Sequence, residues 1–102
     1  MDQSEVLKKL IAYKRLIKDH FDLDTIYLYG SYARVSQHED SDIDVTVVVN
    51  SIEDDYFTTR PLLWQLRREI DDRIEPILIN KNYDRLGFLA EVKKDGIEIK
   101  DA

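Results

Sequence analysis

The sequence predicts a single two-layer domain of the α/β or α+β class that spans residues 1–102. Three observations support this fold class. A length of 102 residues fits one domain. Hydrophobic residues make up 43% of the chain, which is enough for a core. Segments with helical and strand periodicity follow one another as helix, strand, turn, strand, helix, strand, helix, strand, an order typical of helices packed on a sheet. The order of the strands within that sheet stays open.

The first two elements are a helix over Asp2–Phe21 and a strand over Thr25–Tyr29. Apolar residues recur along the helix at helical spacing and predict a face packed on the core. Asp2, with Glu5 three residues later, resembles a capping box at the start of the helix. The strand, TIYLY, is rich in β-branched and aromatic residues and ends at Gly30.

The clearest strand is predicted over Asp42–Val49, with the sequence DIDVTVVV. A tight turn over residues 31–35 and a polar loop over residues 36–41 precede it. Strand alternation places Asp42, Asp44 and Thr46 on one side of the sheet and the intervening apolar residues on the other.

The second half of the chain contains two further helices and two further strands. Pro61 suits the first turn of a helix that ends near Asp72, and IEPILI predicts a strand over Ile74–Ile79. A helix over Tyr83–Lys94, an Asp-Gly turn and a last short strand over Ile97–Ile99 complete the domain.

Composition and charge exclude several classes of protein. The chain has no cysteine, so it has no disulfide, thiol nucleophile or cysteine-rich zinc site. A formal net charge of −6 makes long DNA or RNA a poor partner. No apolar run approaches the length of a membrane span, and the start of the chain lacks the pattern of a signal peptide. We therefore expect no membrane association and a cytoplasmic location.

Acidic residues stand at the beginning of two predicted strands. Asp42 and Asp44 are one residue apart, and Glu75 begins the next strand along the chain. Like charges on one face repel unless a cation or water screens them. If the two strands are neighbours, the three carboxylates form a site for hard divalent cations such as Mg²⁺. Gly30-Ser31, at the end of a strand, provides a sharp turn whose N–H groups can approach an anion.

The spacing of these residues resembles that of a known family. Gly30-Ser31 is followed by ten residues and then by the Asp-x-Asp motif of Asp42 and Asp44. This pattern resembles the nucleotidyltransferases of the DNA polymerase β superfamily. It is most similar to the minimal nucleotidyltransferases (MNT), which are often the antitoxin partners of HEPN toxins. The resemblance implies a polymerase-β-like α+β fold, with a mixed sheet of about four strands and helices packed on one face.

The resemblance also implies a role for each site residue. Gly30 and Ser31 would bind the β- and γ-phosphates of a nucleoside triphosphate, and Arg34 would assist either with phosphate binding or with the local structure. Asp42, Asp44 and Glu75 would be the catalytic and metal-binding residues, with Glu75 helping to deprotonate an acceptor hydroxyl. Two Mg²⁺ ions would be the cofactors and ATP the substrate. Arg67-Arg68 could reach a phosphate, although helix surface is the simpler interpretation.

Two functions are compatible with this pattern. The first is a Mg²⁺-dependent transferase that moves AMP from ATP onto a hydroxyl group. The implied acceptor is a tyrosine of a cognate HEPN toxin, and the chain would then act as an antitoxin. The alternative is a nucleotide-binding antitoxin module that neutralises its partner by forming a complex, with little or no catalysis.

Overall fold

The computed structural model contains three α-helices, one 3-10 helix and four strands within the residues it describes. These residues are 2–30, 42–50, 56–82 and 87–100, and for residues 56–59 only the backbone is described. The elements are α1 (Gln3–Lys18), β1 (Leu23–Tyr29), β2 (Ile43–Val49), α2 (Tyr56–Leu66), the 3-10 helix η1 (Arg67–Glu69), β3 (Ile74–Asn80), α3 (Phe88–Asp95) and β4 (Ile97–Ile99).

The four strands form one mixed sheet in the order β3-β2-β1-β4. β1 pairs with both β2 and β4 in antiparallel orientation, whereas β2 and β3 run parallel. The parallel pair requires a crossover, which α2 and η1 provide. This arrangement confirms the predicted α+β fold and the mixed four-stranded sheet.

The larger core lies between the sheet and the helices α1 and α2. α1 contributes Val6, Leu10, Tyr13 and Ile17, all fully buried. Alternate residues of β1 and β2, such as Leu28 and Val45, face this layer. Two polar groups are satisfied inside it. The Tyr13 hydroxyl donates to the carbonyl oxygen of Leu63 at 2.8 Å, and Lys14 Nζ donates to that of Ile99 at 2.7 Å.

The third helix packs on the opposite face of the sheet. Leu89 and Val92 of α3 form a second apolar cluster with Tyr27 and Val48, whose side chains alternate with those of the larger core. The prediction of helices on one face is therefore correct for α1 and α2 and wrong for α3. The sequence predicted the amphipathic helix, but its pattern does not say which face of the sheet the apolar stripe covers.

Most predicted element boundaries agree with the structure. The capping interaction of α1 is present, because the Asp2 side chain accepts a hydrogen bond from the backbone N–H of Glu5 at 2.9 Å. α2 differs, since it begins at Tyr56 and contains Pro61 in its interior instead of its first turn. The predicted turn over residues 31–35, the loop over residues 36–41 and residues 83–86 of the last predicted helix lie outside the described residues. The prediction that this helix includes Gly87 is wrong, because Gly87 has a left-handed backbone conformation and α3 begins at Phe88.

Within the described ranges, no helix has both the length and the apolar composition that are needed to cross a membrane.

Candidate active site

Three neighbouring strands bring the predicted site residues to one edge of the sheet. β1 ends at Tyr29, which lies opposite Asp44 in the antiparallel pair, so Gly30 follows directly beside the start of β2. In the parallel pair, Asp44 lies opposite Glu75. The edge therefore presents Gly30, Asp44 and Glu75 in that order across β1, β2 and β3, with neighbouring strands about 4.8 Å apart.

The acidic side chains lie on the face opposite the larger core. In β2 the residues Ile43 and Val45 are buried in that core, and Asp44, between them, is half-buried on the other side. In β3 the same alternation buries Ile74 and leaves Glu75 half-buried. This placement explains why both acids interrupt apolar strands, because their positions belong to the face that the larger core does not cover.

Both the backbone conformation at residue 30 and the neighbouring Asp44 side chain favour glycine at this position. Its φ angle is +77°, in the left-handed region that favours glycine. A Cβ atom at this position would collide with Oδ2 of Asp44. The turn after β1 thus approaches Asp44 so closely that a side chain at residue 30 would displace the Asp44 carboxylate from its position.

Burial and the two neighbouring carboxylates act on the ionisation of Glu75. Burial raises the pKa of the Glu75 carboxyl, and the negative charges of Asp42 and Asp44 raise it further. A hydrogen bond between the side chains of Glu75 and Asp42 acts in the same direction, whereas the Arg67 guanidinium lowers the pKa. Two carboxyl groups can share such a bond only if one carries a proton. A cation can replace that proton and relieve the repulsion.

The acids nevertheless do not form a complete metal cage. In the described part of the chain, no group of three or more His, Asp or Glu side chains is arranged to hold a metal ion. Mg²⁺ in proteins is commonly bound by one or two carboxylates together with substrate phosphates and water. An incomplete site of that kind needs only one or two of the carboxylates of Asp42, Asp44 and Glu75.

Arg67 has a structural position that the sequence did not reveal. Its Nη1 atom donates to the carbonyl oxygen of Ile74 at 3.0 Å and also to that of Asp72. Its guanidinium carbon lies 4.6 Å from the centre of the Trp64 ring. Arg67 thus holds the turn that leads into β3 and Glu75, whereas Arg68 is exposed, as predicted for helix surface. No short-range motif distinguishes the two arginines.

Ser31 and Arg34, the other predicted phosphate-binding residues, lie outside the described residues. The structure therefore brings together Gly30, Asp42, Asp44 and Glu75. Whether these residues bind nucleotide and metal stays a prediction at this point.

The family of the chain follows from comparison with known proteins. The sequence model of the polymerase β nucleotidyltransferase family matches residues 12–102. The chain belongs to this family. The resemblance predicted from the Gly-Ser and Asp-x-Asp spacing is thereby confirmed.

Several relatives from Methanocaldococcus jannaschii are provisionally named protein adenylyltransferases. One is 29% identical over 109 residues, which cover 93% of this chain and 99% of the relative. A second is 34% identical over 83 residues and 78% of each chain. A third is 46% identical over a shorter segment of 44 residues. This segment covers 43% of this chain and 44% of the relative, so the match spans less than half of the relative's length.

Solved structures share the fold. A protein from Sulfolobus solfataricus, provisionally described as a nucleotidyltransferase, has a TM-score of 0.68 and 25% identity, covering 94% of this chain and 80% of that one. A chain of a toxin–antitoxin complex with AMP-PNP has a TM-score of 0.66 and 27% identity, covering 94% and 73%. A chain from the complex of a Shewanella oneidensis tri-AMPylated HEPN toxin with its MNT antitoxin has a TM-score of 0.61 at 24% identity, covering 98% and 73%, a likeness of fold alone.

Proposed function

We propose that the chain is a Mg²⁺-dependent nucleotidyltransferase that moves AMP from ATP onto a tyrosine hydroxyl of a HEPN-type toxin, and so acts as an antitoxin. The observation that carries this proposal is the alignment of Gly30, Asp44 and Glu75 across three adjacent strands. Family membership and the relatives named for protein adenylylation support the reaction type. The similarity to a toxin–antitoxin complex with AMP-PNP supports the nucleotide and the class of partner.

At the α-phosphorus, the reaction forms one bond and breaks one. The acceptor oxygen attacks the α-phosphorus of ATP, the bond from that phosphorus to the β-phosphate oxygen breaks, and pyrophosphate leaves. The acceptor's proton passes to Glu75, which lies opposite Asp44 at the start of β3. Little other covalent chemistry is required of the protein, because phosphoryl transfer depends mainly on positioning and charge neutralisation.

Each site residue has a defined task in this mechanism. The turn at Gly30 brings backbone close to the site without a side chain, which leaves room for the β- and γ-phosphates. Asp42, Asp44 and Glu75 would hold the divalent cations. When bound, these ions would neutralise phosphate charge and polarise the attacking and leaving oxygens.

A position-specific label tests the proposal. The purified chain is incubated with Mg²⁺, the protein encoded by the adjacent gene, and ATP labelled on either the α- or the γ-phosphate. We expect α-label, and no γ-label, to become attached to the partner protein, and we expect EDTA to prevent this. Replacing the acceptor tyrosine by phenylalanine should abolish attachment.

Two results would contradict the proposed AMP-transferase activity. Attachment of γ-label would indicate a kinase reaction. A stable complex of the two proteins that binds ATP but attaches no label would favour the nucleotide-binding antitoxin module.

A further inference from the structure

An exposed isoleucine lies on the same face of the sheet as the acidic residues. Within the described ranges, Ile77 is the large hydrophobic side chain that stays exposed, at 49%. It is two residues after Glu75 on β3, so both side chains point to the same face, about 7 Å apart along the strand. The residues between and after them, Pro76 and Leu78, point towards the larger core, where Leu78 packs. Ile77 therefore belongs to the active-site face.

The position of Ile77 within the sheet explains its exposure. β3 is an edge strand, and Ile77 lies opposite Thr46 of β2. On this same face of the sheet, α3 packs over the region of β1, where Leu89 and Val92 contact Tyr27. The exposed part of the Ile77 side chain is apolar surface in contact with water. Removing that surface from water would lower the free energy. A ligand that covers it would gain that energy.

The chemistry of the proposed reaction specifies which ligand approaches from β3. In an in-line displacement, the attacking and leaving oxygens lie on opposite sides of the phosphorus. In the proposed mechanism, the phosphates that leave lie at the turn of Gly30, directly after β1. Asp44 lies between, on β2, and Glu75 lies on β3. In this mechanism the acceptor hydroxyl arrives over β3, where Glu75 takes its proton and Ile77 is the next residue on the same face.

We propose that Ile77 is a specificity-determining contact for the acceptor, against which the aromatic ring of the acceptor tyrosine rests while its hydroxyl reaches Glu75. This inference rests on the proposed function. The phenol ring of tyrosine is flat and apolar, and its length matches the distance between Ile77 and Glu75 along the strand. A serine or a sugar hydroxyl has no comparable apolar surface to place against Ile77. Ile77 thus selects the acceptor and takes no part in proton transfer or in binding ATP.

Steady-state kinetics of AMP transfer to the partner protein test this role. We compare the wild-type chain with Ile77→Thr, which keeps a β-branched side chain on the strand, and with Ile77→Leu, which keeps the apolar surface. Ile97→Thr is the matched control, because Ile97 lies on the opposite edge strand and packs on the opposite face. Thermal unfolding of each variant establishes that it is folded.

We expect Ile77→Thr to raise the KM for the partner protein roughly tenfold and to leave the KM for ATP unchanged. Ile77→Leu should restore the wild-type KM, and Ile97→Thr should not alter it. An unchanged KM for the partner in Ile77→Thr would overturn the inference and leave the transferase intact. A raised KM for ATP would also overturn it, because the nucleotide base would then occupy Ile77. A wild-type chain that transfers no label would overturn the transferase itself, and this inference with it.

Discussion

At the scale of single residues, Gly30 carries two constraints that can be separated by experiment. Its positive φ angle disfavours any residue with a side chain, and a Cβ atom there would have to displace the nearby Asp44 carboxylate. Gly87 provides a comparison within the same chain. It has a similar φ angle of +67°, but an added Cβ there meets no atom within 4 Å.

We therefore predict different outcomes for Gly30→Ala and Gly87→Ala. Each should lose about 1 kcal/mol of unfolding free energy from backbone strain. Gly30→Ala should in addition lose at least about 100-fold in AMP transfer, because a displaced Asp44 no longer positions the reacting groups. Urea unfolding and transfer rates measure the two effects. Equal transfer rates in the two variants would contradict the role of the Gly30–Asp44 contact.

At the scale of secondary structure, the turn before β3 determines where Glu75 is placed. The Arg67 guanidinium donates hydrogen bonds to the backbone carbonyl oxygens of Asp72 and Ile74. Ile74 directly precedes Glu75 in the chain. Arg67, which is not one of the three acidic residues, thus supports the position of Glu75. The neighbouring Arg68 is exposed and provides a matched control.

Arg67→Ala should lower the unfolding free energy by about 1–3 kcal/mol, because two backbone acceptors lose a charged donor. It should also lower the rate of AMP transfer, since the start of β3 loses its support. Arg68→Ala should change neither quantity. Chemical unfolding and transfer assays on both variants check this prediction, and equal behaviour of the two would show that Arg67 has no positioning role.

A second polar contact joins the same turn to α1. Asp71 accepts hydrogen bonds from Arg73, and its Oδ2 lies 2.7 Å from Lys9 Nζ and 2.9 Å from Arg73 Nη2. The hydrogen bond from Arg73 lowers the pKa of Asp71 well below its usual range; burial opposes this, and Lys9 reinforces it. The side chain of Asp71 is only 9% exposed, whereas Lys9 and Arg73 are partly open to solvent.

A lowered pKa means that Asp71 stabilises the fold when ionised. The contribution is fully present above the unfolded-state pKa of about 3.9 and is lost as the pH falls below it. Asp71→Asn should therefore cost about 1–2 kcal/mol at pH 7, and the difference from wild type should shrink as the pH falls from 4 towards 2. Urea unfolding across that range measures it, with the exposed Asp72→Asn as control. A difference that stays constant with pH would refute the assignment.

At the scale of the whole molecule, the sequence predicted the elements better than their arrangement. Strand alternation identified which side of β2 carries Asp44, and the 3.6-residue spacing identified α1. The pairing of β2 with β3, which places Asp44 opposite Glu75, depends on a crossover whose course no local pattern specifies. The face chosen by α3 and the contacts of Arg67 are likewise products of tertiary packing, so they could not be read from the chain.

The candidate site was predictable for a related reason. Acidic residues at the start of two apolar strands conflict with local preference, and such conflicts are expected where a protein performs its function. Ile77 was missed because an isoleucine in a strand agrees with every local rule. Its exposure becomes visible only when β3 is known to be the edge strand.

The central claim is that the acids gathered from β2 and β3 perform AMP transfer. The most direct test compares the rate of α-label incorporation by Asp44→Asn with that by Glu5→Gln, an exposed acid on α1, across the sheet from the site. Both variants remove one negative charge, so the net charge changes equally. We predict that Asp44→Asn loses at least about 100-fold in rate and that Glu5→Gln retains the wild-type rate. A folded Asp44→Asn variant that transfers AMP as fast as wild type would contradict the claim.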